Sequence, residues 1–259
     1  MREPSPAIDW NCTLPQLAEW YASFLGRSML EQTNVHLAGM LQPVFGYQGL
    51  QVGLLHDGDS MLENAGLLRR FTLGADMSGA QIDASTSALE LPIASDTLSL
   101  LALPHTLEFC TDPHQVLREA DRVLARDGYL LLLGFNPLST WGAAHAVRRW
   151  NPSVPWSGQF YTNTRVQDWL SLLNFKVVSS KKFFLRPPIH HEKVLRKLEF
   201  VEKCQPWLSV LGGAYLILAR KQVRPLIPKM LRWRPRKSVV ASRMIEPVNK
   251  VEMQKHRER

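Results

Sequence analysis

Cysteine is scarce in this sequence. There are three in 259 residues (Cys12, Cys110 and Cys204) and no CxxC pair. That excludes a disulfide scaffold and a cysteine-rich zinc site, and it points to a reducing compartment. Long apolar runs are missing as well. The uncharged apolar-rich run Pro206 to Ala219 has 14 residues, two of them glycine, whereas a bilayer span needs about 20. The opening residues, MREPSPAIDW, lack the apolar segment of a secretory signal. A cytoplasmic protein without a membrane span is expected. Material for a core is not short: apolar types make up 45% and charged types 21%, which excludes global disorder and allows one sizeable domain with an appendage.

The net charge of +8 is unevenly placed. Residues 222–259 hold 11 Lys/Arg against three Glu, so residues 1–221 carry 20 charges of each sign and are formally neutral. The basic balance belongs to a tail. With four prolines and no apolar period, that tail is expected to be disordered.

Along the chain, Leu14, Leu17, Tyr21, Phe24 and Leu25 recur at three- and four-residue steps, which predicts a helix. Leu37, Met40 and Leu41 predict a second, short one. From Gly49 the pattern becomes that of buried strands separated by helices. The strands are Leu50–Leu55, Phe71–Asp76, Thr97–Pro104, Tyr129–Phe135, Phe175–Phe184 and Ala214–Ala219. Helices are expected over Met61–Arg70, from Asp112-Pro113 to Asp127-Gly128, over Tyr161–Leu173 and over Glu192–Cys204. Asn136 to Gly158, rich in Pro, Trp and Gly, reads as a linker. Strands alternating with helices mean an α/β domain with a mainly parallel sheet. The expected organisation is a helical segment at 1–48, the α/β domain at 49–221 and the basic tail at 222–259. Ligands in such sheets sit at the carboxyl ends of the strands, which singles out Gly53 to Asp59, Asp76, Ser85 to Leu91, Pro104-His105 and Asn136.

The stretch Leu89 to Pro137 carries, in order, Leu91-Pro92-Ile93, His105-Thr106-Leu107-Glu108, Asp112-Pro113, Leu117-Arg118-Glu119, Arg122-Val123-Leu124 and Gly128. This resembles the second half of a class I S-adenosylmethionine (SAM)-dependent methyltransferase of the UbiE-like, type 11 family. Gly134–Gly142 (GFNPLSTWG) and Gln167–Val177 (QDWLSLLNFKV) resemble the YafS-like subgroup. The likeness covers about residues 15–221. It implies a Rossmann-like, seven-stranded sheet whose last strand is antiparallel, a methyltransferase activity, and SAM as cofactor.

The resemblance also implies site residues. The family's first motif, roughly D-x-G-x-G, aligns with Gln51-Val52-Gly53-Leu54-Leu55: Gly53 survives as a cofactor contact, Gln51 replaces the acid and Leu55 replaces the second glycine. Asp76 stands where the family's acid accepts the ribose hydroxyls. Ser87 stands where an Asp accepts from the adenine amino group. Pro104 takes the place of a small residue beside SAM. His105 follows it as the general-base candidate, the alternative being a helix-capping or core histidine. Trp141, Trp150, Trp156 and Tyr161 either line an acceptor pocket or pack a loop onto the sheet. His190-His191-Glu192 offers no third ligand by spacing, so no metal is expected. Two other classes of function stay open. Gln51, Leu55 and Ser87 suit a methyltransferase-fold binding or regulatory module that has lost SAM chemistry. The RWRPRK run at 232–237 suits contact with RNA.

Overall fold

The computed structural model describes residues 10–53, 60–74, 84–85, 87–148, 153–188 and 211–222. Two helices come first, α1 (Trp10–Ala22) and α2 (Phe24–Met40). They meet at Ser23, whose hydroxyl accepts from the Gly26 amide and caps α2. The first expected helix, read from Leu14 to Leu25, ends earlier at Ala22, and the second begins at Phe24, so it is far longer than Leu37–Leu41 suggested. Glycine is required at 26, because a Cβ there would lie 2.5 Å from the Trp20 carbonyl oxygen and from Tyr21 Cα. That close approach seats α2 against the end of α1.

The strands follow: β1 (Phe45–Val52), β2 (Gly66–Gly74), β3 (Ala84–Ser85), β4 (Leu98–Pro104), β5 (Leu124–Phe135), β6 (Phe175–Phe183) and β7 (Ala214–Lys221). They form one seven-stranded sheet in the order β3-β2-β1-β4-β5-β7-β6. The pairs from β3 to β5 are parallel, while β7 lies antiparallel between β5 and β6. This is the sheet expected, with the last strand reversed. The chain moves outward from β1 to β3 and then returns to lay β4 beside β1. The crevice for a ligand is thus at the carboxyl ends of β1 and β4, the switch point. Leu100 to Leu103 of β4 and Leu130 to Leu133 of β5 are buried, as their near-continuous apolar runs require of a sheet covered on both faces.

Three expectations are corrected. The expected helix over Met61–Arg70 does not form: residues 61–65 are turns, and β2 begins at Gly66. Met61, Leu62 and Ala65 are buried, so their spacing reflects packing within a turn. The Arg70 guanidinium donates to the carbonyls of Leu62 and Ala65, at 3.1 Å each, and satisfies a turn that has no helical ladder. The helix α4 (Pro113–Val123) starts as expected, with the Asp112 carboxylate accepting from the His114 and Gln115 amides, but ends four residues early. Leu124 already pairs with Leu98, and the next pair is Tyr129 with Leu100, so Ala125 to Gly128 bulge from β5. Asp127, at φ 62°, turns that bulge. The expected linker contains α5 (Thr140–Arg148), anchored by the buried Trp141. The remaining helices are the short α3 (Thr106–Phe109) and α6 (Asn163–Leu172), whose Val166, Trp169 and Leu170 face inward as expected. The helix expected over Glu192–Cys204 and the basic tail lie outside the described residues.

Candidate functional site

Two strand ends build the site. β1 runs into Gly53, buried and at φ 102°, a conformation that side chains rarely adopt. Its amide donates to the Leu73 carbonyl of β2 at 2.7 Å. Gln51, also buried, lies one pleat back. Its Nε2 donates to the Gly53 carbonyl at 2.9 Å, and its Oε1 accepts from the Met61 amide at 2.8 Å. One carboxamide therefore ties the end of β1 at Gly53 to Met61. A carboxylate could serve only Met61, because it has no proton to give Gly53.

β4 ends at the buried Pro104 and turns through His105, a non-glycine residue at φ 52°. The His105 amide donates to Leu133 of β5 at 2.9 Å, and Thr106 Oγ1 donates to the Val52 carbonyl at 3.1 Å. These bonds tie the ends of β4, β5 and β1 together at the switch point. Held in this left-handed turn, the His105 side chain is 0% exposed and has a partner on each ring nitrogen. Nδ1 lies 2.5 Å from Glu108 Oε2, and Nε2 lies 2.6 Å from the Tyr21 hydroxyl of α1. The other Glu108 oxygen accepts a short hydrogen bond from the Phe135 amide. Burial, and then the negative charge of Glu108, push the Tyr21 hydroxyl well above its usual range, so it keeps its proton. Two acceptors lie within reach of that proton, His105 Nε2 at 2.6 Å and Met29 Sδ at 3.8 Å. With Glu108 as a carboxylate, His105 carries its own proton on Nδ1.

Aromatic rings surround this chain. Phe135 stacks on His105 with centroids 4.2 Å apart, Trp20 meets Phe135 edge-on at 5.9 Å, and Phe160 stacks on Phe135 at 5.1 Å. Trp141 is enclosed beneath them and donates from Nε1 to the Arg186 carbonyl at 2.8 Å. Trp141, Trp156 and Tyr161 are thus buried in the core beside the sheet, and Trp150 lies outside the described residues. Cys110, nearby in α3's C-cap, has its thiol pushed up to about 12 by burial. It stays a thiol and is not a nucleophile.

Of the residues read from the sequence, Gly53, Pro104 and His105 come together at the ends of β1 and β4. Asp76 lies outside the described residues. Ser87 sits two residues past β3 on an exposed turn, where its hydroxyl accepts from the Leu89 amide at 3.3 Å. His105 is buried and does not stand open as a free imidazole: its ring nitrogens face Glu108 and Tyr21. Sequence reasoning missed Tyr21 and Glu108 as site residues. Glu108 is signalled by its place three residues after His105 in the HTLE element. Tyr21, 84 residues away, showed only as a helix position. Among the described residues, no three of His, Cys, Asp and Glu gather as a metal site.

The crevice fits a cofactor best at one end. The Gly53 turn presents backbone with no Cβ, as a ligand approaching the main chain needs. At the other end Ser87 offers a hydroxyl where a charged acceptor was expected.

Comparisons with known proteins agree with this geometry. Residues 60–132 match a family model described as a methyltransferase domain. The chain is 38% identical over 148 residues to the uncharacterized protein YafS of Escherichia coli, covering 57% of this chain and 58% of YafS. It is 30% identical over 176 residues to the uncharacterized protein Mb2026c of Mycobacterium bovis, covering 65% of this chain and 60% of that one. The chain therefore spans about three fifths of these relatives' length. Among solved structures, a SAM-dependent methyltransferase from Thermotoga maritima superposes with a TM-score of 0.55 at 16% identity, over 83% of this chain and all of that one. The resemblance read from Leu89–Pro137 and Gly134–Gly142 holds, and the fold is that of class I methyltransferases.

Proposed function

We propose that this chain, a YafS homologue with a class I methyltransferase fold, is a SAM-dependent methyltransferase. It would bind its cofactor across the carboxyl ends of β1, β2 and β4 and its acceptor beneath α1 and the 136–158 segment. The observation that carries this reading is the convergence of Gly53, Pro104 and His105 at the switch point of the sheet. Gly53 would take the methionine end against bare backbone, Asp76 the ribose hydroxyls, and Ser87 the adenine edge. Pro104 would bound the methyl-transfer site. Bound there, SAM supplies an electrophilic methyl group on a sulfonium. The chain's own part is to align the acceptor, exclude water with the Trp20, Phe135 and Phe160 rings, and take up a proton at His105.

Titration with SAM and S-adenosylhomocysteine by calorimetry tests the reading. Micromolar binding of both is expected, and Asp76→Ala is expected to weaken it by at least about tenfold, the loss of a charged hydrogen-bond acceptor. No binding at millimolar ligand would remove the activity.

A second reading is favoured by Gln51. Its carboxamide locks the β1 turn to Met61, and the described residues between β1 and β2 form turns. On this reading the fold is a binding or regulatory module without methyl transfer, and it predicts a stable chain that ignores both ligands.

A further inference from the structure

The His105 chain specifies more than a base. Glu108 has two oxygens with two fixed partners. Oε1 accepts from the Phe135 amide, which can only donate, and Oε2 faces Nδ1 at 2.5 Å. A carboxylate there accepts from Nδ1–H and leaves the lone pair on Nε2. The Tyr21 hydroxyl lies 2.6 Å from Nε2, with Met29 Sδ as its second acceptor at 3.8 Å. His105 and Tyr21 are fully buried and Glu108 is 1% exposed. Tyr21 comes from α1, a helix outside the matched span 60–132 and separated from α2 by the Ser23 break.

We propose that Glu108 is a positioning residue that fixes Nε2 of His105 as the proton-accepting atom, and that the acceptor is a protic group which takes the place of the Tyr21 hydroxyl. The catalytic part rests on the methyltransferase reading; the hydrogen-bond chain does not. In the step, the acceptor's X–H bond breaks and an Nε2–H bond forms. The electron pair stays on X and forms the X–CH3 bond as the methyl–sulfur bond breaks, the sulfur keeping that bond's electron pair and leaving as S-adenosylhomocysteine, and the Glu108 carboxylate balances the new imidazolium. A hydroxyl or a thiol meets this requirement. A thioether has no proton to give and gains nothing from the chain.

The test uses the full chain with ¹⁵N-labelled histidine, read by NMR near neutral pH, beside Glu108→Gln and Tyr21→Phe. The wild type is expected to show His105 protonated on Nδ1. In Glu108→Gln the Phe135 amide still demands the side-chain oxygen, so the amide NH2 faces Nδ1 and the proton moves to Nε2. Tyr21→Phe keeps the Nδ1 proton, and its Nε2 resonance shifts to that of an unbonded nitrogen. An Nε2-protonated wild type, an unchanged tautomer in a folded Glu108→Gln, or an unmoved Nε2 resonance in Tyr21→Phe each overturns the assignment. Tritiated SAM is then offered with phenol, 2-mercaptoethanol or dimethyl sulfide. Methylation of phenol or the thiol, lowered at least about a hundredfold in kcat by Glu108→Gln with S-adenosylhomocysteine affinity kept, supports the proposal. Methylation of dimethyl sulfide alone, full activity of Glu108→Gln, or a wild type that binds S-adenosylhomocysteine and methylates none of the three overturns it. A wild type that fails to bind S-adenosylhomocysteine removes the methyltransferase reading instead, and the NMR result still decides the hydrogen-bond chain.

Discussion

Gln51 shows how a single side chain can hold a turn whose motif has changed. It occupies the place of an acid in the resembled motif, yet its contacts need both halves of a carboxamide: a donor for Gly53 and an acceptor for Met61. Restoring a carboxylate would put negative charge against the Gly53 carbonyl inside a buried turn. Gln51→Glu is therefore expected to destabilise the fold by about 1–3 kcal/mol, the cost of a buried group left without its partner. Urea unfolding measures this, and an unchanged midpoint would show that the clamp is dispensable. The sequence made Gln51 visible as a departure but not as a clamp, because the second partner lies ten residues on. His105 was visible through its neighbours in the HTLE element. The state of its lone pair was not, since Tyr21 approaches from a helix whose period records only that one face is buried. Local pattern reports burial; it does not report which distant polar atom shares the buried space.

At the scale of elements, α4 does more than cover the sheet. Its Arg122 donates to the carbonyls of Leu91 and Ile93 and to Glu119, and Glu119 accepts from the Leu91 amide. This fork fastens the loop before β4, the loop that carries Ser87, onto the helix. The hydrogen bond from Arg122 is the main reason the Glu119 carboxyl is held below its usual value of 4.5, and burial opposes it. A carboxylate with a depressed folded pKa adds stability above its unfolded pKa, and that stability is lost as pH falls through the folded value. The stability difference between wild type and Glu119→Gln is thus expected to be constant above about pH 5.5 and to shrink below about pH 4.5. Unfolding midpoints of both proteins across pH 3–8 check this; a difference that grows on acidification would contradict it. Elements whose signals are local were legible from the sequence: the capped start of α4, and the apolar runs of β4, β5 and β7. The β1–β2 connection was not. Met61, Leu62 and Ala65 sit at helical spacing, but Gly66 pairs with Phe45 and starts a strand, and a Cβ at 66 would fall 2.4 Å from the Phe45 ring. Tertiary packing decided there against local periodicity.

At the scale of the molecule, charge and fold are divided along the chain. Residues 1–221 are formally neutral and residues 222–259 carry +8. The sheet closes at Lys221, whose Nζ reaches the Asp121 and Leu124 carbonyls and the Asp96 carboxylate, and the Gln222 amide still donates to Asn174. A chain cut after Gln222 keeps every one of these bonds, so its thermal midpoint is expected to stay within about 2 °C of the full chain, since each kcal/mol lost would shift it by about 2–4 °C. The tail is proposed to contact RNA, and the same truncation separates that role from the fold. Binding of a single-stranded oligonucleotide by the full chain should weaken steeply with salt, with a slope of about −0.7 for each phosphate neutralised. Truncation should abolish that binding while leaving calorimetric titration with S-adenosylhomocysteine unchanged. RNA affinity that survives truncation would place the contact on the neutral domain, and a cofactor affinity that falls with the tail would show that the two parts work on one site.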